Sequence, residues 1–499
     1  MTDKFEQLKS RLARISDINA SSGTLGWDMR VMMPPGGVQA RGDQLGTLGG
    51  LAHEMFVDEE VGGLLEELAA EFKSMPFEAD ESSIIRVNMR DYEKQVRIPT
   101  ELVIEMAQVT AAAQQAWAEA KAKSDFSLFA PHLEKVVALE LRLADALGSP
   151  SGNPYDALLD QFEPGLNYQY IDGVFSGLKK PLVELIEQIK AHADRVNDDV
   201  LKREYPEAQQ IAFSKEVGAA LGYDFKRGRL DKSAHPFTSP NMHDARITTR
   251  VDEHFLPSCV MAVIHEVGHG MHAQNISESL YHSGITFPGL AIAESQSRFF
   301  ENIVGRSRAF WEYWYPKLQA AFPHLNDTSV DTFYRAINKS EPSLIRVEAD
   351  EVTYGLHIML RFEIENELIN QRMKVANLPK EWNDRMEAYL SVTPPNDAQG
   401  VLQDIHWSGG GFGYFPDYLL GSIFASQLWE VFKKQHPDIE DEIRSGKFST
   451  LLDWQRDHVM KHGAKFTFPE LSERATGQTL SWEPYMNYLR TKYSEVYGL

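Results

Sequence analysis

One cysteine, Cys259, stands among 499 residues. A single thiol cannot close an internal disulfide, which fits a reducing compartment and leaves this residue the part of a small buried hydrophobe. Basic charge is also in short supply: 50 Lys and Arg against 72 Asp and Glu give a formal net charge of −22. With no basic patch or aromatic-interleaved basic stripe to override that field, nucleic acid and anionic membrane are excluded as partners. Long apolar runs are missing too. None approaches the roughly 18 residues a membrane span requires, and the opening MTDKFEQLKSRLARI has no apolar signal core, so the cytoplasm is the expected location. Linkers rich in Ser, Gly or Pro and repeats of fixed period are absent, which favours a single helical domain over 1–499. If that body is two-lobed, the division expected is an N-terminal helical lid and wall, 1–225, and a catalytic core, 226–499.

What the chain does have is helical periodicity and a hydrophobic fraction of 43% with 11% aromatics, enough for a large core. Phe5, Leu8, Leu12 and Ile15 recur at three- and four-residue steps, and the pattern breaks at Pro34-Pro35-Gly36-Gly37. ELVIEMAQVTAAAQQAWAEAKAK and PHLEKVVALELRLADAL read as further helices, and Pro164-Gly165 separates two more. The texture changes in SAHPFTSPNMHDARITTRV, where β-branched residues and turn formers predict a small β element. It precedes VIHEVGHGMHAQ, and an edge strand there can hold an extended chain by backbone hydrogen bonds. A glycine-rich aromatic loop, HWSGGGFGYFPDY, runs from His406 to Tyr418. The fold class expected is mainly α.

The stretch His265-Glu266-Val267-Gly268-His269 carries chemistry. On a helix, residues i and i+4 share a face, so the two histidines can hold one Zn²⁺ through neutral imidazole nitrogens. Glu266, beside them, is placed to take the proton of a metal-activated water and pass it to a leaving amine. A buried helix with two core histidines is the competing reading. Zinc needs a third protein ligand, and ESQSRFFEN offers Glu294, 294 − 269 = 25 residues beyond the second histidine. Glu301, seven residues further on, is the alternative ligand. Arg298, four residues after Glu294, is read as orienting that carboxylate or a neighbouring acid, or as an ordinary surface pair.

These segments, together with HPF (His235–Phe237), DARIT (Asp244–Thr248), IRVEAD (Ile345–Asp350), GVLQDIHW (Gly400–Trp407), GWDMRVMMPPGG and GYFPDYLLG, resemble the carboxypeptidase Taq family of metallocarboxypeptidases in the family's order along nearly the whole chain. The resemblance implies a large helical zincin-type fold with a deep central cleft, one divalent metal per chain (Zn²⁺, with Co²⁺ effective), a homodimer, and release of single C-terminal residues from peptides with broad specificity. It implies His265, His269 and Glu294 as ligands and Glu266 as general base. Arg346 resembles the arginine that holds the substrate's free carboxylate, a task that suits a planar guanidinium fork. His235, Asp244 and Arg246 fall in motifs of the substrate-binding region. His406, Tyr414 and Tyr418 lie in a loop like the one that supplies donors to the tetrahedral intermediate. The chain departs from the family's pattern at Val31, at Ala293, where a histidine is usual, and in GMHAQ after the second histidine. An oligopeptidase or peptidyl-dipeptidase on the same fold, and a non-catalytic peptide-binding protein, are the rival functions.

Overall fold

The computed structural model describes residues 3–499. The chain divides into two compact units, each assembled from three segments: Met1–Val96, Asp198–Ile337 and Leu428–Gly477 in one, and Arg97–Asn197, Asn338–Gln427 and Gln478–Leu499 in the other. Both are built mainly of helices, and among the described residues no helix is long and apolar enough to cross a membrane.

The first unit opens with the helix Asp3–Val31, which the Pro35–Gly37 turn joins to Val38–Phe56. The three- and four-residue spacing buries Phe5, Leu8 and Leu12 against Leu64, Leu65 and Leu68 of the next helix and Ile84 and Ile85 of the one after. The β element is a three-stranded sheet of β1 (Gly228–Lys232), β2 (Thr238–Ser239) and β3 (Ala245–Thr249), in the order β1-β3-β2. β3 lies between the other two, parallel to β1 and antiparallel to β2, with Thr238 opposite Ile247. The Thr248 hydroxyl explains two of the motifs. It accepts from the Phe237 backbone N–H at 2.9 Å and from Ser233 at 2.8 Å, so the last residue of DARIT pins the HPF turn. Asp244 and Arg246 pair with each other through two bonds, at 2.9 and 2.7 Å, and Arg246 lies 4.5 Å from the centre of the Trp27 ring.

β3 packs on the helix Pro257–Gln274, which carries the two histidines. Proline starts that helix where its missing N–H costs nothing. Gly268 lets a second helix, Leu290–Arg298, approach: a Cβ there would meet the carbonyl O of Gln296 and the Cα of Ser297, both at 2.7 Å. Beyond Arg298 the chain does not end its helix but widens into a π-helical turn, Phe299–Val304.

In the second unit the helix Tyr354–Ile369 is buried over almost its full length. Its spacing brings His357, Arg361 and Glu365, each fully buried, onto one stripe at four-residue intervals. Glu365 accepts from Tyr155 Oη (2.6 Å), Trp407 Nε1 (2.7 Å) and the Gly413 backbone N–H (2.9 Å), which fastens both ends of the glycine-rich loop. A second buried carboxyl, Glu140, has its pKa pushed up to about 8 by burial and by Glu365, and holds its proton at neutral pH.

The close approach at Gly268 gives a stability test. Gly268→Ala is expected to destabilise the protein by about 1–3 kcal/mol through overpacking and to lower metal uptake, because the helix bearing Glu294 must move. Gly46→Ala, where the added Cβ meets nothing within 4 Å, should instead gain about 0.5–1 kcal/mol. Chemical denaturation of the two variants reads the contrast.

Candidate metal centre and anion pocket

In the first unit the histidine helix and the helix Leu290–Arg298 bring three donors together. The Nε2 atoms of His265 and His269 lie 3.7 and 3.3 Å from Oε2 of Glu294, and donor atoms of the three residues all fall within 4.8 Å of one another. On a tetrahedral ion with bonds of about 2.0–2.1 Å, donors stand about 3.4 Å apart. The two His–Glu294 separations bracket that spacing, and the donor set suits a divalent cation.

Two of the donors, His265 and Glu294, are held from behind. His265 Nδ1 lies 2.9 Å from Glu301 Oε2, which fixes the ring and leaves the Nε2 lone pair facing Glu294. Glu294 accepts from Arg298 Nε at 2.6 Å on Oε1 and from the Ser297 hydroxyl at 2.9 Å on Oε2. Arg298 also reaches Glu301, at 3.3 Å, and so spans both acids. Glu301, the alternative ligand in the sequence, stands outside the donor set. In an unbroken α-helix it would return to the face of Glu294, and the wider π turn carries it instead behind the His265 ring.

The charges follow from this arrangement. Burial opposes ionisation of Glu294, but Arg298, His265 and His269 outweigh it and hold the carboxyl well below the usual carboxylate range. Glu301 is likewise lowered, to about 2, because His265, Arg298 and Arg306 outweigh burial. His265 is raised: burial disfavours its charge, and the nearby Glu294 and Glu301 more than compensate.

Glu266 is buried beside the donors, and its Oε2 accepts from the Thr238 hydroxyl at 2.5 Å. Thr238 follows the HPF motif directly in the sequence, but nothing in the spacing of one hydroxyl links it to a glutamate 28 residues later. His235 is exposed, with its carbonyl taken by Ser233.

The second unit contains a buried ionic cluster. Asp404 Oδ1 accepts from Nε and Nη2 of Arg346, at 3.1 and 2.9 Å, while its Oδ2 accepts from Nε of Arg361 at 2.7 Å. Gln403 Oε1 takes the Arg346 backbone N–H and Nη2 of Arg361, both at 2.8 Å. Asp404 stays ionised because Arg361 and Arg346 outweigh the cost of its burial. His406 and His357 stay neutral, lowered by burial to about 4 and about 3. Two guanidinium cations and one carboxylate leave the cluster one positive charge in excess. Arg361 is fully buried. Arg346 spends three of its N–H bonds on Asp404 and on Tyr354, the latter at 3.0 Å. Of the roughly five donors a guanidinium carries, one on each terminal nitrogen remains for an anion. Above this fork the rings of Phe415 and Tyr418 lie 5.5 and 5.1 Å from the guanidinium carbon. Tyr418 keeps its phenolic proton, its pKa raised well above normal chiefly by burial, and donates towards Tyr414 at 3.4 Å. Tyr414 in turn lies 5.2 Å from the His406 ring.

Removing the acid behind His265 should weaken the centre without deleting a donor. Glu301→Gln is expected to lower metal affinity about 10–100-fold with an unchanged circular dichroism spectrum, as read by competition with a chromogenic chelator.

Three comparisons agree with this chemistry. A model of the carboxypeptidase Taq (M32) metallopeptidase family matches residues 7–493. Carboxypeptidase 1 of Bacillus subtilis is 37% identical, over 98% of this chain and 97% of its own, and thermostable carboxypeptidase 1 of Thermus thermophilus is 38% identical over 96% of both. The crystal structure of an M32 carboxypeptidase from Deinococcus radiodurans, 35% identical, superposes with a TM-score of 0.96 over the whole of both chains. That of a Pyrococcus furiosus carboxypeptidase, 34% identical, gives 0.95 over 99% of each. The chain belongs to the carboxypeptidase Taq (M32) family and is a metallocarboxypeptidase.

Proposed function

We propose that this enzyme uses Zn²⁺, one ion per chain and replaceable by Co²⁺, to release single C-terminal residues from peptides with broad specificity. The observation that carries the reading is the convergence of two imidazole nitrogens and one carboxylate oxygen within 4.8 Å of one another, with a second glutamate beside them. His265, His269 and Glu294 are the ligands. When bound, the ion polarises the scissile carbonyl and acidifies a water. Glu266 takes the water's proton and returns it to the departing amine. Arg346 binds the substrate's terminal carboxylate through its two remaining donors, and that carboxylate neutralises the excess charge of the Arg346–Asp404–Arg361 cluster. Tyr414 or Tyr418, together with His406, supplies a neutral donor to the developing oxyanion, which gains more from the transition state than from the ground-state carbonyl. His235, Asp244 and Arg246 support substrate binding from the sheet side.

The whole of 1–499 serves as one peptidase domain. The assembly is a homodimer, in keeping with the family resemblance, and the compartment is the cytoplasm, which the lone buried Cys259 supports.

Three measurements test this. An N-terminally blocked peptide and its C-terminally amidated twin are incubated with the zinc-loaded protein and followed by mass spectrometry. A one-residue ladder from the free acid alone, abolished by chelator, is expected; equal cleavage of the amide would move the assignment to an oligopeptidase. Arg346→Ala should weaken activity on the free acid far more than metal content. Glu266→Gln should bind zinc as the parent does and lose turnover by at least 10²-fold, the scale of a lost general base. An intact rate would remove Glu266 from that role.

A further inference from the structure

We infer that Thr238 is a positioning residue for Glu266, holding its carboxylate so that Oε2 is fixed and Oε1 is left to accept the proton. The inference rests on the general-base reading of Glu266 and goes beyond it.

The Thr238 hydroxyl lies 2.5 Å from Oε2 of Glu266 and 3.3 Å from the same residue's backbone carbonyl. It has one proton to give, and the shorter contact to an ionised acceptor takes it. Oε1 of Glu266 accepts no hydrogen bond from any described residue, so the two oxygens of the carboxylate are made unequal by this one contact. A glutamate side chain has several rotamers to give up, and a group that exchanges protons with a substrate must be held to about 0.5 Å. Nothing else in the described structure ties down this carboxylate.

Thr238 is itself fixed from several sides. Its strand, β2, pairs with β3 through Thr238 opposite Ile247 and Ser239 opposite Arg246. The preceding turn is pinned by Thr248, and β3 is tied to the histidine helix where Thr249 donates to the Cys259 carbonyl at 3.4 Å. A β-branched side chain on a strand is stiff about χ1, so the hydroxyl direction follows from the backbone. A neutral hydroxyl also suits the task where a Lys or Arg would not. An ion pair would hold the carboxylate in its charged form and oppose the proton transfer it is there to perform. The short β2 strand thus acts as a bracket for the base.

The test uses the full-length zinc-loaded chain. Thr238→Val, which keeps the shape and removes the hydroxyl, is expected to lower kcat about 10–100-fold, the cost of a loosely held reacting group. KM should stay within about twofold, and zinc stoichiometry and the thermal midpoint should match the parent. Thr238→Ser should recover kcat to within about threefold. In a Glu266→Asp background, where the carboxylate is withdrawn by one methylene, Thr238→Val should cost less than about twofold, because the contact is already gone. An unchanged kcat in Thr238→Val, or the same fold loss in both backgrounds, would overturn the inference and leave Thr238 as a link between strand and helix. If Thr238→Val does not fold, the Thr238→Ala and Thr238→Ser pair carries the same comparison. Retained turnover in Glu266→Gln would instead fail the general-base reading, and that outcome is read from a separate variant.

Discussion

The repulsion and attraction packed around Glu294 is the constraint on which the first unit is organised. Its carboxylate sits buried within reach of two imidazoles, a state that would be costly for any isolated charge. Arg298 and Ser297 make it tolerable from one side, and the histidines, of which His265 is braced by Glu301, make it useful from the other. Much of the surrounding architecture can be understood as serving this arrangement. The absence of a side chain at Gly268 brings the two helices together, and the sheet behind them presents Thr238. The second unit solves a related problem with the opposite sign: two guanidinium groups share one carboxylate, and the cluster carries buried positive charge in excess.

The helices and the convergence of His265, His269 and Glu294 were legible in the sequence because their signals are local. Phe5, Leu8, Leu12 and Ile15 are one face of one helix, and all four are buried. His265 and His269 need only a helical repeat to meet. The β element followed from ARITTRV, which lies largely within β3. Glu294 was reachable from the spacing and the family pattern together, since 25 residues allow a helix to end and another to begin.

What escaped depended on distance or on unusual backbone. Thr238 and Glu266 are joined by one hydroxyl across a strand-to-helix interface, and a threonine in a turn-rich segment has no periodicity to announce it. Asp404 lay in plain view inside GVLQDIHW, but its role appears only when Arg346 and Arg361, 58 and 43 residues away, are brought to its two oxygens. Glu301 was misplaced for a different reason. Helical spacing puts it on the face of Glu294, and no feature of FFENIV distinguishes a π turn from an α turn. The interleaving of the two units from three segments each is likewise a product of long-range packing.

That π turn has one more consequence. A wide turn holds about one residue more than the α-helical path it replaces, so it works as a shim between two stretches of chain that must each keep their own register. Upstream of it, Glu294 and Arg298 are locked to the metal-facing side; downstream, Phe299, Phe300 and Val304 are locked into the core. With the slack taken up between them, the core can be repacked without rotating the ligand, and the acid behind His265 can be re-aimed without disturbing the core.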